Sequence, residues 1–250
     1  MLTSAHLTTP GAAETGGAPC PSPVFATTHW SLVLSAGRND TCARDALAAL
    51  CKTYWPALHA YVRRRGVPPH DAEDLTQEFF ARLLEHNWIA RADATKGRFR
   101  SFLLTALKRF LADQWDKSQA QKRGGGRAPD PLDSDAAGSG PTADQVYDRQ
   151  WALALLERTM ARLRAEFAQA GKAREFSRLK PFLTAARNEI SYADAAAAAG
   201  LSEGAARVAV HRLRKRYREL FRDEIARTVS GPAEVDPELR HLIAALASPP

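Results

Sequence analysis

Large apolar side chains recur at alternating steps of three and four along most of this chain, a spacing that matches the helical repeat and not the two-residue repeat of a strand. In ALAALCKTYWPALHAYVRRRG, Leu47, Leu50, Tyr54, Leu58 and Tyr61 fall on one helix face, and Gly66 with the Pro68-Pro69 pair ends the run. A second helix opens on Asp71, Glu73 and Asp74, whose charge suits the positive end of a helix dipole, and carries a stripe of Leu75, Phe79 and Leu83. After Gly97, Phe99, Phe102, Leu103, Ala106, Phe110 and Leu111 repeat helically within a basic, aromatic-flanked segment. Further on, Val146, Leu153, Leu156, Met160, Leu163 and Phe167 read as a narrow packing seam. Phe176, Leu179 and Leu183 follow, with Pro181 expected to kink a helix or to start one. No stretch shows convincing period-two alternation, so an all-α chain is expected.

Two composition breaks divide the helical runs. Residues 1–26, rich in Gly, Pro, Ala and Thr, bury too little to repay their ordering entropy and read as a disordered tail. Residues 123–142, from the QKRGGG end onward, are Gly-, Pro- and Asp-rich and read as a flexible linker. The expected architecture is therefore two small helical domains, 27–122 and 143–230, followed by a tail at 231–250 with a short helix on Leu239, Leu242, Ile243 and Leu246. The chain has 250 residues, 45% apolar and 25% charged, which is a globular composition. Its net charge of +7 favours a polyanionic partner such as nucleic acid. Cys20, Cys42 and Cys51 form neither a CxxC pair nor a disulfide framework, the amino terminus lacks the charged and apolar parts of a secretion signal, and no run approaches a membrane span. A cytoplasmic protein without membrane insertion is the expectation.

The segment SYADAAAAAGLSEGAARVAVHRLRKRYREL divides into a short Ala-rich helix, a tight turn at Gly200, and a longer helix capped by Ser202. That is the grammar of a helix-turn-helix, with Ala196 small enough for close helix approach and Leu201, Ala206, Val210, Leu213 and Tyr217 as the buried stripe. Glu203 suits the dipole of the second helix. Its other face offers Arg207, His211, Arg214 and Arg218, flanked by Arg212, Lys215 and Arg216, an arrangement suited to phosphates on both sides of a groove and base edges near the helix start. A merely solvated basic face and a membrane-surface helix are the alternatives, although the Ala- and Val-rich apolar side argues against the second.

These residues resemble bacterial RNA polymerase sigma factors of the sigma-70 superfamily, extracytoplasmic-function (ECF) type, from about Thr27 onward. DAEDLTQEFFARLLE resembles the family's signature for binding core polymerase, and GRFRSFLLTALKRFLADQWDKSQAQKRGGG its helix for the melted promoter element. The helix-turn-helix segment resembles its carboxy-terminal promoter-reading module. The resemblance implies core RNA polymerase and promoter DNA as partners, with an anti-sigma factor or other regulator as a further one, and neither metal nor cofactor. It assigns core contact to Asp74, Gln77, Glu78 and Arg82. It assigns the melted strand to Arg100, Lys108, Arg109, Trp115 and Lys117, and duplex promoter reading to Ser202, Glu203, Arg207, His211, Arg212 and Lys215. Where many members carry an Asn, then an Asp and then an Arg in the melting helix, this chain holds Arg109, Asp113 and Asp116, so the first and third places depart.

Catalysis is not expected. The pair His70-Asp71 with Asp74, and the scattered His29, His59 and His86, show no repeating ligand spacing, and Gly124 to Gly126 lack the Lys-Ser/Thr ending of a phosphate loop. The competing functional reading is an autonomous helix-turn-helix regulator that binds operator DNA by itself, usually as a dimer. A pure interaction module without DNA binding is a third.

Overall fold

The computed structural model describes residues 41–86, 88–91, 98–121, 140–184 and 191–247. The expected amino-terminal tail, most of the expected linker and the side chain of Leu47 lie outside the described residues. The helices are α1 (Thr41–Arg64), α2 (Pro69–Glu85), α3 (Phe99–Gln121), α4 (Ala143–Gln169), α5 (Ala173–Leu179), α6 (Pro181–Thr184), α7 (Tyr192–Ala199), α8 (Glu203–Ala226) and α9 (Val235–Ala247). Short 3₁₀ turns occupy Trp88–Arg91 and Pro232–Glu234, and there is no strand among the described residues. The fold is all-α.

The first three helices follow the expected faces closely. Gly66, at φ +85°, takes the left-handed conformation that turns the chain between α1 and α2, and Pro69 sits in the first turn of α2, where its missing N–H is no loss. Tyr54, Leu58 and Tyr61 of α1 meet Phe79 and Leu83 of α2 and Phe99, Leu103, Leu107 and Phe110 of α3, all buried. The Tyr54 and Phe99 rings meet edge-on at 5.4 Å, and those of Phe79 and Phe110 tilt together at 5.7 Å, geometries that rings of this quadrupole favour.

Helix α4 departs from its expected seam. Of Val146, Leu153, Leu156, Met160, Leu163 and Phe167, only Leu163 is buried, and Leu153 is exposed. The buried row is instead Ala143, Tyr147, Trp151, Leu155, Thr159 and Leu163, with Ala152 beside it. Steps of four on a helix of 3.6 residues per turn rotate the row by about 40° each, or about 160° from Tyr147 to Leu163. The first half of α4 thereby packs on α1, where Trp151 stacks on Tyr54 at 4.5 Å and 6°, and Leu163 turns into a second core with Phe176, Leu179, Ala206, Val210, Leu213 and Leu220. A capping box of Thr142 and Gln145 starts the helix: the Gln145 N–H donates to Thr142 Oγ1 at 3.2 Å, and the Thr142 N–H to Gln145 Oε1 at 2.8 Å.

Pro181 stands at the start of α6, the second of the two outcomes expected for it. Buried Glu224 ties α8 to α4 through Arg162 at 3.3 Å and Arg158 at 3.6 Å. Val235 and Leu242 of α9 are buried, Leu239 and Leu246 pack against the first core, and Ile243 faces solvent.

Candidate nucleic-acid and polymerase interface

The outward face of α2 carries three of the four residues assigned to core contact in exposed or half-exposed positions without constraint from another helix. Asp74 pairs with His70 one turn earlier at 3.2 Å, Gln77 is exposed, and Glu78 holds Arg82 at 2.6 Å. Arg82 also lies over the Phe110 ring of α3 at 5.4 Å, so its guanidinium is steered from two sides. All four share the side of α2 opposite the Phe79 and Leu83 contacts, because residues at i, i+3, i+4 and i+8 line one face.

The five α3 residues assigned to the melted strand divide into four environments. Arg109 and Lys117 are exposed, and half-buried Trp115 lines a groove of about 350 Å³ with Gln114, Ser118 and the Gly66–Pro68 turn. Lys108 reaches across to Asp144 of α4 at 2.7 Å and lies 5.9 Å from the Tyr61 ring centroid. Arg100 is buried: its Nε donates to Glu238 Oε1 at 2.8 Å, its Nη2 to Glu238 Oε2 at 3.3 Å, and its Nη1 to Asp148. Burial alone would lower the guanidinium pKa, but the hydrogen bond to Glu238 and the Asp148 and Glu238 charges raise it above its ordinary value. Tyr147 Oη donates to the Arg100 carbonyl at 2.9 Å, which fixes the backbone at this point as well.

Helices α7 and α8 meet at Gly200, whose φ of +68° is the left-handed cap that ends α7. Ser191 and Ser202 cap the two helices by accepting from the Asp194 and Ala205 N–H groups at 3.1 and 3.3 Å. Ala195 and Ala196 bury against Ala206 and Val210, and the whole is consistent with a helix-turn-helix. Ser202, Glu203, Arg207, His211, Arg212 and Lys215 are all exposed on it. Arg207 lies over the Tyr192 ring of α7 at 4.9 Å and 3.5 Å from Glu203, so the first helix shelves a guanidinium of the second. Tyr192 and the exposed Val208 were not singled out from sequence; an aromatic at the first position of an Ala-rich helix was the available signal for Tyr192.

Three side chains of this segment differ from the sequence expectation. Leu201, expected in the buried stripe, is 41% exposed, since the turn at Gly200 swings it clear of the second core. Arg214 donates from Nε to the Phe182 carbonyl at 3.1 Å, and Arg216 grips Glu166 of α4 bidentately at 2.9 Å through both Nε and Nη2. The basic run is thus split: Arg207, Arg212 and Lys215 face outward, while Arg214 and Arg216 fasten α8 to its own domain.

Comparison with known families gives a match to part of the chain. Residues 50–121 match sigma-70 region 2. The match begins inside α1 and ends at the last residue of α3, so it coincides with the three-helix unit. It supports a sigma-70 family sigma factor acting in transcription initiation, and a region 2 implies binding of core RNA polymerase and promoter DNA. No curated protein and no solved structure matches the chain.

Beside the assigned residues, region 2 holds Arg98, which sequence reasoning passed over. Its Nη1 lies 2.7 Å from Glu238 and its Nη2 3.5 Å from Glu234, so Arg98 and Arg100 share one carboxylate. The signal available was the GRFR tetrapeptide at the start of the helix, whose two arginines flank buried Phe99. Among the described residues, no cluster of His, Cys, Asp and Glu could hold a metal, and no helix is long and apolar enough to cross a membrane.

Proposed function

We propose that this chain is a sigma factor of the extracytoplasmic-function type that binds core RNA polymerase, selects promoters and captures the melted strand, with no covalent chemistry of its own. The observation that carries this reading is the order of parts: a region 2 over α1–α3, then a capped recognition helix with an outward cationic face later in the same chain. Asp74, Gln77, Glu78 and Arg82 meet polymerase through the open face of α2. Arg109, Lys117 and the Trp115 ring take phosphates and an unstacked base, by charge and by stacking. Arg207, His211 and Arg212 read base edges in the upstream element, where a bidentate contact is worth about 1–3 kcal/mol of discrimination. Ser202 and Glu203 frame the start of that helix, and Lys215 meets the backbone.

Run-off transcription from genomic fragments by bacterial core polymerase, with and without the protein, tests the proposal. Discrete new start sites are the expected result. Binding of the protein to duplex DNA without any transcript would replace it by an autonomous regulator.

A further inference from the structure

The closing segment VDPELRHLIAAL, expected as a short helix in the tail, takes an unusual position in the structure. Helix α9 packs on α4 and α8, its Val235 and Leu242 share the buried cluster of α1–α3, and ion pairs add to that link: Glu238, fully buried, is held by Arg98 and Arg100 together, and Glu234 at the preceding turn adds a second carboxylate to Arg98. Asp148 of α4 completes the cluster, facing Arg100 on one side and His241 of α9 at 2.8 Å on the other. These two arginines sit at the head of the helix that carries Arg109, Trp115 and Lys117. Two carboxylates spaced along one edge present to them what successive phosphates would present.

We infer that α9 is an internal stand-in for nucleic acid: Glu238 and Glu234 occupy the Arg98 and Arg100 pair of region 2, and single-stranded promoter DNA engages that end of α3 only when α9 lifts. The inference rests on the initiation reading above. The helix is built to be removable. It is 13 residues long, a length at which an isolated helix is marginal, and its buried residues are Val235, Glu238 and Leu242, with Leu239 and Leu246 packed part-way against the core. Two of its other ties lie at the periphery: Arg222 to Asp236 at 2.6 Å on the surface, and a long Arg149 donation to the Leu246 carbonyl at 3.4 Å. Lifting α9 takes both carboxylate partners from Arg98 and leaves Arg100 with Asp148, while the α1–α3 rings that form the region-2 core stay packed on one another.

The test uses the full chain with Glu238→Gln and, separately, Leu242→Ala, and reads the anisotropy of a labelled oligothymidylate of about 20 nucleotides across a salt series. Both variants are expected to bind about tenfold more tightly than the parent, with the salt slope steeper by about 0.7–1.4, one to two added phosphate contacts. Leu242→Ala retains the carboxylate, so tighter binding by it reports lifting of the helix and not loss of a negative charge. Equal affinity of the parent and both variants overturns the inference and leaves α9 an ordinary structural helix. Hydrogen exchange on the unaltered protein is independent of whether a variant folds: residues 235–247 are expected to exchange faster at saturating oligonucleotide, and unchanged protection overturns the inference. Run-off transcription by the parent separates the two levels. Transcripts with equal affinities remove the role given to α9 alone, whereas absence of transcripts removes the initiation reading and the role of α9 with it.

Discussion

Arg207 and Lys117 carry the same charge in different settings, and that difference decides what each substitution does. Arg207 is held over the Tyr192 ring beside Glu203, so its fork is oriented in advance, whereas Lys117 projects from the exposed side of α3 with no directional partner among the described residues. Arg207→Ala is expected to weaken binding at one promoter position by about 1–3 kcal/mol, and Lys117→Ala to weaken all promoters alike and shallow the salt slope by about 0.7. Affinities measured over a set of single-base promoter variants check both, and uniform losses for both would contradict the division. Cys51 gives a second prediction at this scale. Burial pushes its thiol up to about 11 from an ordinary 9.0, against a smaller lowering by a backbone hydrogen bond. Because the folded state holds the proton more tightly, this contribution to stability is full below pH 9 and is lost as pH rises toward 11. In a Cys20→Ser, Cys42→Ser background, iodoacetamide at pH 8 is expected to label Cys51 about tenfold more slowly in the folded protein than in denaturant.

At the scale of the element, α8 depends on its first turn. Ser202→Ala removes the oxygen that accepts from Ala205 and is expected to lower stability by about 1 kcal/mol. Gly200→Ala has open space around the added carbon, so its expected loss of about 1–2 kcal/mol is the left-handed backbone alone. Thermal unfolding with DNA binding checks the pair, since both are expected to lower the melting temperature with the Arg207 promoter preference unchanged. The Ser cap, the Gly turn and the buried alanines of this motif are local chemistry, and they were legible in the sequence for that reason. The α4 seam was not. Its aliphatic residues do repeat at heptad-like steps, but the helix serves two cores in succession, and the face that faces them is chosen by Tyr147 and Trp151 finding Tyr54 and Arg100 more than 40 residues away. The inward turn of Arg100, Arg214 and Arg216 has the same origin: a basic residue in sequence carries no mark of the carboxylate or carbonyl that tertiary packing will bring to it.

For the whole molecule, the decisive fact is that the region-2 core does not close on itself. Trp151 and Leu155 of α4, Phe221 and Ile225 of α8, and Leu242 of α9 join the α1–α3 side chains in one buried cluster, while the other half of α4 enters the helix-turn-helix core. A helix common to two cores couples them, because neither can lose it without exposing apolar surface of the other. The protein is therefore expected to unfold in one cooperative transition, with far-ultraviolet ellipticity and tryptophan fluorescence coinciding. Trp151→Ala should break that coincidence. It removes the ring stacked on Tyr54 and leaves a cavity worth about 3–5 kcal/mol, located where α4 crosses region 2 and remote from the second core. The expected variant shows two transitions, the earlier one reported by the remaining tryptophans of region 2. If the parent already melts in two steps, α4 is a contact and not a coupling element, and the two units unfold independently from the start.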